Sequence, residues 1–134
     1  MTYNATALVT LLALLAYVWM GVRIGGVRRQ VGISAPAMTG DPLLERYVRV
    51  QANTLEWLPI FLASLWLFAA YWNDKLAALV GLVWIVGRVL YALGYSKDAS
   101  KRELGFMVQT LATAGLLFGA LYQAVVHLLH GGVI

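Results

Sequence analysis

No cysteine occurs in the 134 residues, so this chain has no disulfide, no thiolate-bound metal and no cysteine nucleophile. Any sulfur chemistry must use a thiol brought by a substrate. Charge is scarce as well: charged residues make up 12%, with six acids against ten Lys and Arg. Proline occurs three times and histidine twice. The serines Ser34, Ser64, Ser96 and Ser100 have no suitably placed His, so no nucleophilic triad is indicated. What remains is apolar. Hydrophobic residues reach 61%, where a soluble domain holds about 45–50%. The formal charge of +4 raises nucleic acid as a partner, but no soluble basic patch exists. The cations sit beside apolar runs, where membrane orientation accounts for them better. The first apolar run lacks a basic leader and ends in Arg23, Arg28 and Arg29, unlike a cleavable signal peptide.

The pattern predicts an all-α, four-helix integral membrane bundle forming one domain over residues 1–134. Helix 1 is expected over residues 3–27, built on an uncharged run of spanning length. Gln30 to Gly40 carries Gly32, Ser34, Pro36 and Gly40 and reads as a loop. Asp41 is a plausible N-cap, with Pro42 at the first helical position. Helix 2, over residues 42–71, is then roughly 45 Å long against a hydrocarbon core of about 30 Å. Its first turns project beyond the hydrocarbon, Glu56 lies deeper, and Pro59 is a possible kink. Asn73-Asp74-Lys75 reads as a tight polar turn before helix 3, over residues 76–95. Ser100-Lys101-Arg102-Glu103 matches a capping box and places Arg102 in the first turn of helix 4, over residues 101–129. His127 and His130 lie at the frayed end of that helix and read as an interfacial pair, and no metal site is expected.

Nine of the ten cations gather in or near the helix 1–2 and 3–4 connections, and only Lys75 lies on the other side. The positive-inside rule turns those connections to the cytoplasm and both termini away. Three polar features then meet at one depth. Arg46, Arg49, Asn53 and Glu56 share an arc of roughly 80° on helix 2. Trp84, Arg88, Tyr91 and Tyr95 share about 60° on helix 3. Arg102 opens helix 4. On helix 2 alone, an Arg49–Glu56 pair that merely holds the bundle together explains the charges equally well. Taken together, arginines for carboxylates and one acid for an ammonium describe a pocket for a small zwitterion with excess negative charge. A cation beside a helix N-terminus also favours a bound thiolate.

Glu45-Arg46-x-x-Arg49-x-Gln51-x-Asn53-x-x-Glu56, followed by Pro59-x-Phe61-Leu62-Ala63, resembles the signature of the MAPEG family. These are membrane-associated proteins in eicosanoid and glutathione metabolism. The likeness continues through Gly81-Leu82 and Arg88-x-x-Tyr91-x-x-x-Tyr95 to Arg102. It is strongest to the branch of microsomal glutathione transferases and the leukotriene-conjugating synthase, and the short C-terminus looks like that of a bacterial member. The resemblance implies a homotrimer with glutathione, as co-substrate, bound between subunits. It implies glutathione contacts at Arg28, Arg49, Gln51, Asn53, Glu56, Tyr91 and Tyr95, and an activating role for Arg102. Gln51 points off the main stripe of helix 2, as a residue serving a neighbouring subunit would. Trp57 stands where the synthase has a tyrosine.

The function so implied is attack of a glutathione thiolate on a lipophilic electrophile from the bilayer, with lipid-hydroperoxide reduction as a related activity. An inner-membrane location follows for a bacterial member. The alternatives are a non-enzymatic lipid-binding or scaffold protein of the same family and, more remotely, an ion pathway built on Glu56 and Arg88. Retention of Arg102 argues against the first, and a single buried acid makes a poor relay for the second.

Overall fold

The computed structural model describes residues 2–132 and is all-helical. α1 spans Asn4–Val31, α2 Pro42–Tyr71, α3 Asp74–Lys97 and α4 Glu103–His130. A 3-10 turn at Ala99–Arg102 leads into α4. All four helices are long and apolar enough to cross a bilayer. Their outer faces are apolar too: Leu8, Leu11, Leu15 and Val22 of α1 and Leu111, Phe118 and Leu128 of α4 are exposed. In lipid such a surface carries no hydrophobic penalty.

α2 and α3 each pack against all three other helices and form the centre of the bundle. The core is densest where Phe61 of α2 stacks on Trp84 of α3, with ring centroids 3.9 Å apart and planes 4° from parallel. Val9, Leu65 and Leu116 close around this stack. A second cluster, of Met20, Val50, Tyr91 and Ala92, lies one layer toward the loop end. Ile24, Val27 and Leu44 form a third.

The helix ends account for the boundaries. Asp41 caps α2 through Oδ1, which accepts from the Leu43 N–H at 2.8 Å, and Pro42 follows at the first helical position, as expected. α2 also spans its expected 42–71 and runs unbroken through Pro59. α1 runs four residues past its expected end at Val27. Arg28 and Arg29 continue the helix into the interface, and Gly32, at φ 72°, stops it in the left-handed region. α3 begins at Asp74, because Asn73 Oδ1 caps the Leu76 N–H at 3.0 Å; Asp74 and Lys75 belong to the helix and not to a turn. The expected capping box at Ser100 does not form. Asp98 takes that role instead, accepting from the Ser100 N–H at 2.9 Å, and Arg102 closes the 3-10 turn ahead of α4. Asp98, two residues upstream, takes the Ser100 N–H that Glu103 would reach back to in such a box.

α3 and α4 approach closely through paired glycines. A methyl group at Gly105 would stand on the Tyr91 backbone nitrogen and 2.6 Å from the Gly87 carbonyl oxygen. One at Gly87 would stand 2.7 Å from the Gln109 nitrogen. Small residues at such a crossing let backbones meet, the usual device of membrane helices. Gly115, by contrast, faces open space.

Gly105→Ala must therefore force α3 and α4 apart at Tyr91. The expected cost is about 1–3 kcal/mol, the usual scale for overpacking. Gly115→Ala should be neutral or slightly stabilising, since alanine is the better helix former. Thermal unfolding of both variants in detergent checks this, and equal melting temperatures would show that the crossing is not tight.

Candidate functional site

A pocket of about 320 Å³ opens where α2, α3 and the start of α4 meet. Arg49, Asn53, Tyr91, Tyr95, Arg102, Glu103 and Phe106 line it. It lies at the end of the bundle that carries both longer connections, because the Arg46 Nε donates to the Ser96 carbonyl at 3.2 Å and ties the start of α2 to the end of α3. A second, open hollow shares Arg49 and Tyr95 and continues past Arg46, Lys97 and Asp98.

Helical spacing brings the lining residues together. Arg49 and Asn53 are four apart on α2, and Tyr91 and Tyr95 four apart on α3. The two tyrosine rings stack at 5.5 Å. The Arg102 guanidinium lies 5.8 Å over Tyr95, and that of Arg88 lies 4.6 Å over Tyr91. Cation, ring, ring and cation thus form a column along α3, from the buried Arg88 to the exposed Arg102.

Five of the expected residues meet in this pocket: Arg49, Asn53, Tyr91, Tyr95 and Arg102. Glu56 is attached through Arg49, whose Nη1 lies 3.2 Å from Oε1. The two side chains, 51% and 57% exposed, thus pair with each other, as the bundle-holding reading of helix 2 alone also expects. Gln51 and Arg28 lie elsewhere. Gln51 faces α1, with its Nε2 against Gly21. Arg28 donates to the carbonyls of Ile33 and Ala37 and folds the 32–41 segment back on α1. His127 and His130 each turn Nδ1 to a carbonyl of their own helix, at Gln123 and Val126, both at 2.8 Å.

Three participants escape a reading of the sequence. Phe106 lines the pocket and meets Trp57 edge to face at 5.7 Å. Trp57 does not line the pocket itself and backs Phe106 from α2. Glu103 lines the pocket because the capping role that would have occupied it falls to Asp98. Thr54 accepts from Arg88 Nη1 at 3.1 Å across the α2–α3 contact. Only the three-residue spacing from Glu103 to Phe106 hinted at a shared face.

Asp98 sets the position of Arg102. Its carboxylate accepts from Ser100, and its carbonyl accepts from the Lys101 N–H at 3.0 Å. The Ser100 bonds, with Lys101 and Arg46 nearby, hold the Asp98 carboxyl below the usual carboxylate range.

Four apolar spans with a polar pocket at one end define a multi-pass integral membrane protein. The chain belongs to the MAPEG family, whose sequence model matches residues 6–122. It is 46% identical over 115 residues to an uncharacterized protein of Synechocystis sp., covering 86% of this chain and 84% of the relative. It is 40% identical over 116 residues to microsomal glutathione S-transferase 2 of Homo sapiens, covering 86% and 79%. It is 38% identical over 120 residues to leukotriene C4 synthase of Cavia porcellus, covering 83% and 79%.

The lowered Asp98 carboxyl gives the turn a pH dependence. A carboxyl depressed in the folded state adds stability above its unfolded value, near pH 4, and loses it as pH falls through the lower folded value. The protection of the Ser100 amide against hydrogen exchange should therefore fall in acid. Asp98→Asn should keep the cap without the acid step, and Asp98→Ala should lose protection at every pH. An acid step that persists in Asp98→Asn would assign it to another group.

Proposed function

We propose that this protein is a membrane-bound glutathione transferase that activates the glutathione thiol for attack on lipophilic electrophiles. One observation carries the reading: Arg49, Asn53, Tyr91, Tyr95 and Arg102 line a single pocket. Relatives named as a glutathione S-transferase and as leukotriene C4 synthase support it. In this reading Arg49 and Asn53 hold the peptide's acceptor groups and Glu56 takes its ammonium. Arg102 supplies a permanent positive charge beside the sulfur. That charge stabilises the thiolate, and the proton leaves to water, since a guanidinium is a poor base. The sulfur then attacks an electrophilic carbon. A carbon–sulfur bond forms, and the displaced electron pair goes to the leaving group or to a ring oxygen that takes up a proton.

The electrophile's route is apolar. A lipid-facing hollow lined by Met107, Thr110 and Leu111 shares Glu103 and Phe106 with the polar pocket. A bilayer-dissolved substrate reaches the sulfur from that side. Lipid hydroperoxides form a second class of electrophile for the same thiolate.

Assembly as a homotrimer belongs to the proposal. The half-exposed Arg49–Glu56 pair cannot face hydrocarbon without a large desolvation cost. Gln51 turns away from its own pocket, toward α1, and serves a neighbour's site in this reading. In this reading the positive-inside rule turns the pocket toward the cytoplasm, and an inner-membrane location goes with it if the chain is that of a bacterial member, as its resemblance implies.

Two measurements test these points. In a conjugation assay with a panel of electrophiles, purified wild type should turn over with glutathione. Arg102→Ala should still bind glutathione yet lose rate by about a hundredfold near neutrality, with part of it regained at high pH. Arg102→Lys should recover only in part, for want of the planar fork. An absorbance titration of bound thiolate gives the cause directly, and an unchanged thiol pKa in Arg102→Ala would move the role elsewhere. No turnover by wild type with any electrophile would favour a lipid-binding protein. Mass measurement in mild detergent should give three chains per particle, and an active monomer would overturn the shared site.

A further inference from the structure

Arg88 is the charged side chain, among the described residues, with no exposed surface at all. No carboxylate pairs with it among those residues. Both of its terminal nitrogens donate to Asn53 Oδ1 at 2.9 Å, and Nη1 also donates to Thr54 Oγ1. Its Nε is buried without a partner. A desolvated cation held by neutral groups, with one donor unmet, is a poor way to join two helices. An apolar side chain of similar size would join them at lower cost.

The geometry suggests what the charge is for. A guanidinium carries donors only, so the atom it grips on Asn53 must be the amide oxygen. The amide nitrogen is then left at the other end of the group. Arg88 does not line the pocket, whereas Asn53 does. A free asparagine offers a ligand either donor or acceptor; this one offers only a donor. Arg49 and Arg102 line the same pocket and are donors as well. Glu103 and the two tyrosines also line the pocket, so this holds for the part formed by Arg49 and Asn53, one turn apart on α2: its complement is a group that only accepts, and a carboxylate is that group.

We propose that Arg88 is a positioning residue that fixes the Asn53 amide with its N–H end toward the pocket and so makes the site select a carboxylate there. The ligand rests on the proposed function: one of glutathione's two carboxylates. Arg88 acts through Asn53 and touches no reacting atom.

The experiment compares binding of S-hexylglutathione with that of its two monoamides, each having one carboxylate converted to a carboxamide. Wild type should bind one monoamide about tenfold more weakly than the acid, the usual scale for losing a charge-assisted hydrogen bond. In Arg88→Gln the Asn53 amide is free to turn, and that ratio should shrink to about threefold or less. The ratio for the other carboxylate should stay unchanged. Arg88→Lys keeps the charge but grips with a single point, and should restore only part of the discrimination. Asn53→Asp provides an independent reading should Arg88→Gln not fold. Its carboxylate accepts from Arg88 and turns a second acceptor to the pocket, so the monoamide should now bind better than the acid.

Uniform weakening of all three ligands by Arg88→Gln would show that Arg88 only supports the fold, and would overturn the proposal. Wild-type preference retained in Asn53→Asp would overturn it too. Failure of wild type to bind S-hexylglutathione removes the transferase reading itself. The two failures are told apart by wild-type binding, which is intact in the first and absent in the second.

Discussion

The bundle turns on a buried guanidinium held by dipoles and rings, with no carboxylate in ion-pair contact with it among the described residues. Arg88 reaches from α3 to Asn53 and Thr54 of α2 and lies under the face of Tyr91. In a low-dielectric interior, a charge of this kind is tolerated only where neighbouring groups orient toward it. Its neighbours are oriented accordingly. The Asn53 oxygen points at it, the Thr54 hydroxyl receives it while donating to Val50, and Trp84 lies one turn away at 5.8 Å. Below Arg88 along α3 the chain is ordinary core, with Trp84 stacked on Phe61. Above it, Tyr91 and Tyr95 lead to the pocket. One residue thus marks the border between the part of α3 that packs and the part that forms a site.

The pocket wall depends on a different constraint. Tyr91 is fixed from behind by Gly105, whose missing side chain lets α4 come up to the α3 backbone. The same approach carries Phe106 into the lining, where Trp57 meets it from α2. A larger residue at the crossing would move a wall of the pocket as well as the helix behind it. Packing and site geometry are therefore not separable at this level of the bundle.

Much of this was legible in the residues, and the parts that were not each have a physical reason. Asp41-Pro42 is a local start signal, and α2 begins where it says. The meeting of Arg49 and Asn53 with Tyr91 and Tyr95 followed from helical period and from charges that turn both connections the same way. The end of α1 was missed because Arg28 and Arg29 mark where hydrocarbon stops, while the backbone continues to a glycine. The cap of α4 was misassigned because Asp98 and Ser100 both suit the role and only the folded turn decides between them. Thr54, Phe106 and the direction of Gln51 depend on contacts with other helices, and no period along the chain encodes such partners.

At the far end of the bundle, the first turn of α1 has no cap of its own. The Ala5 and Thr6 N–H groups are met by the Asp74 carboxylate at 3.1 and 2.8 Å, from a residue 69 and 68 positions later in the chain. Hydrocarbon offers free amides no partner. These two are satisfied by the first turn of α3, so the N-terminal end of α1 is complete only while α1 and α3 lie packed together. The Asp74 carboxylate thus acts as a latch between the ends of two helices that no single connection joins.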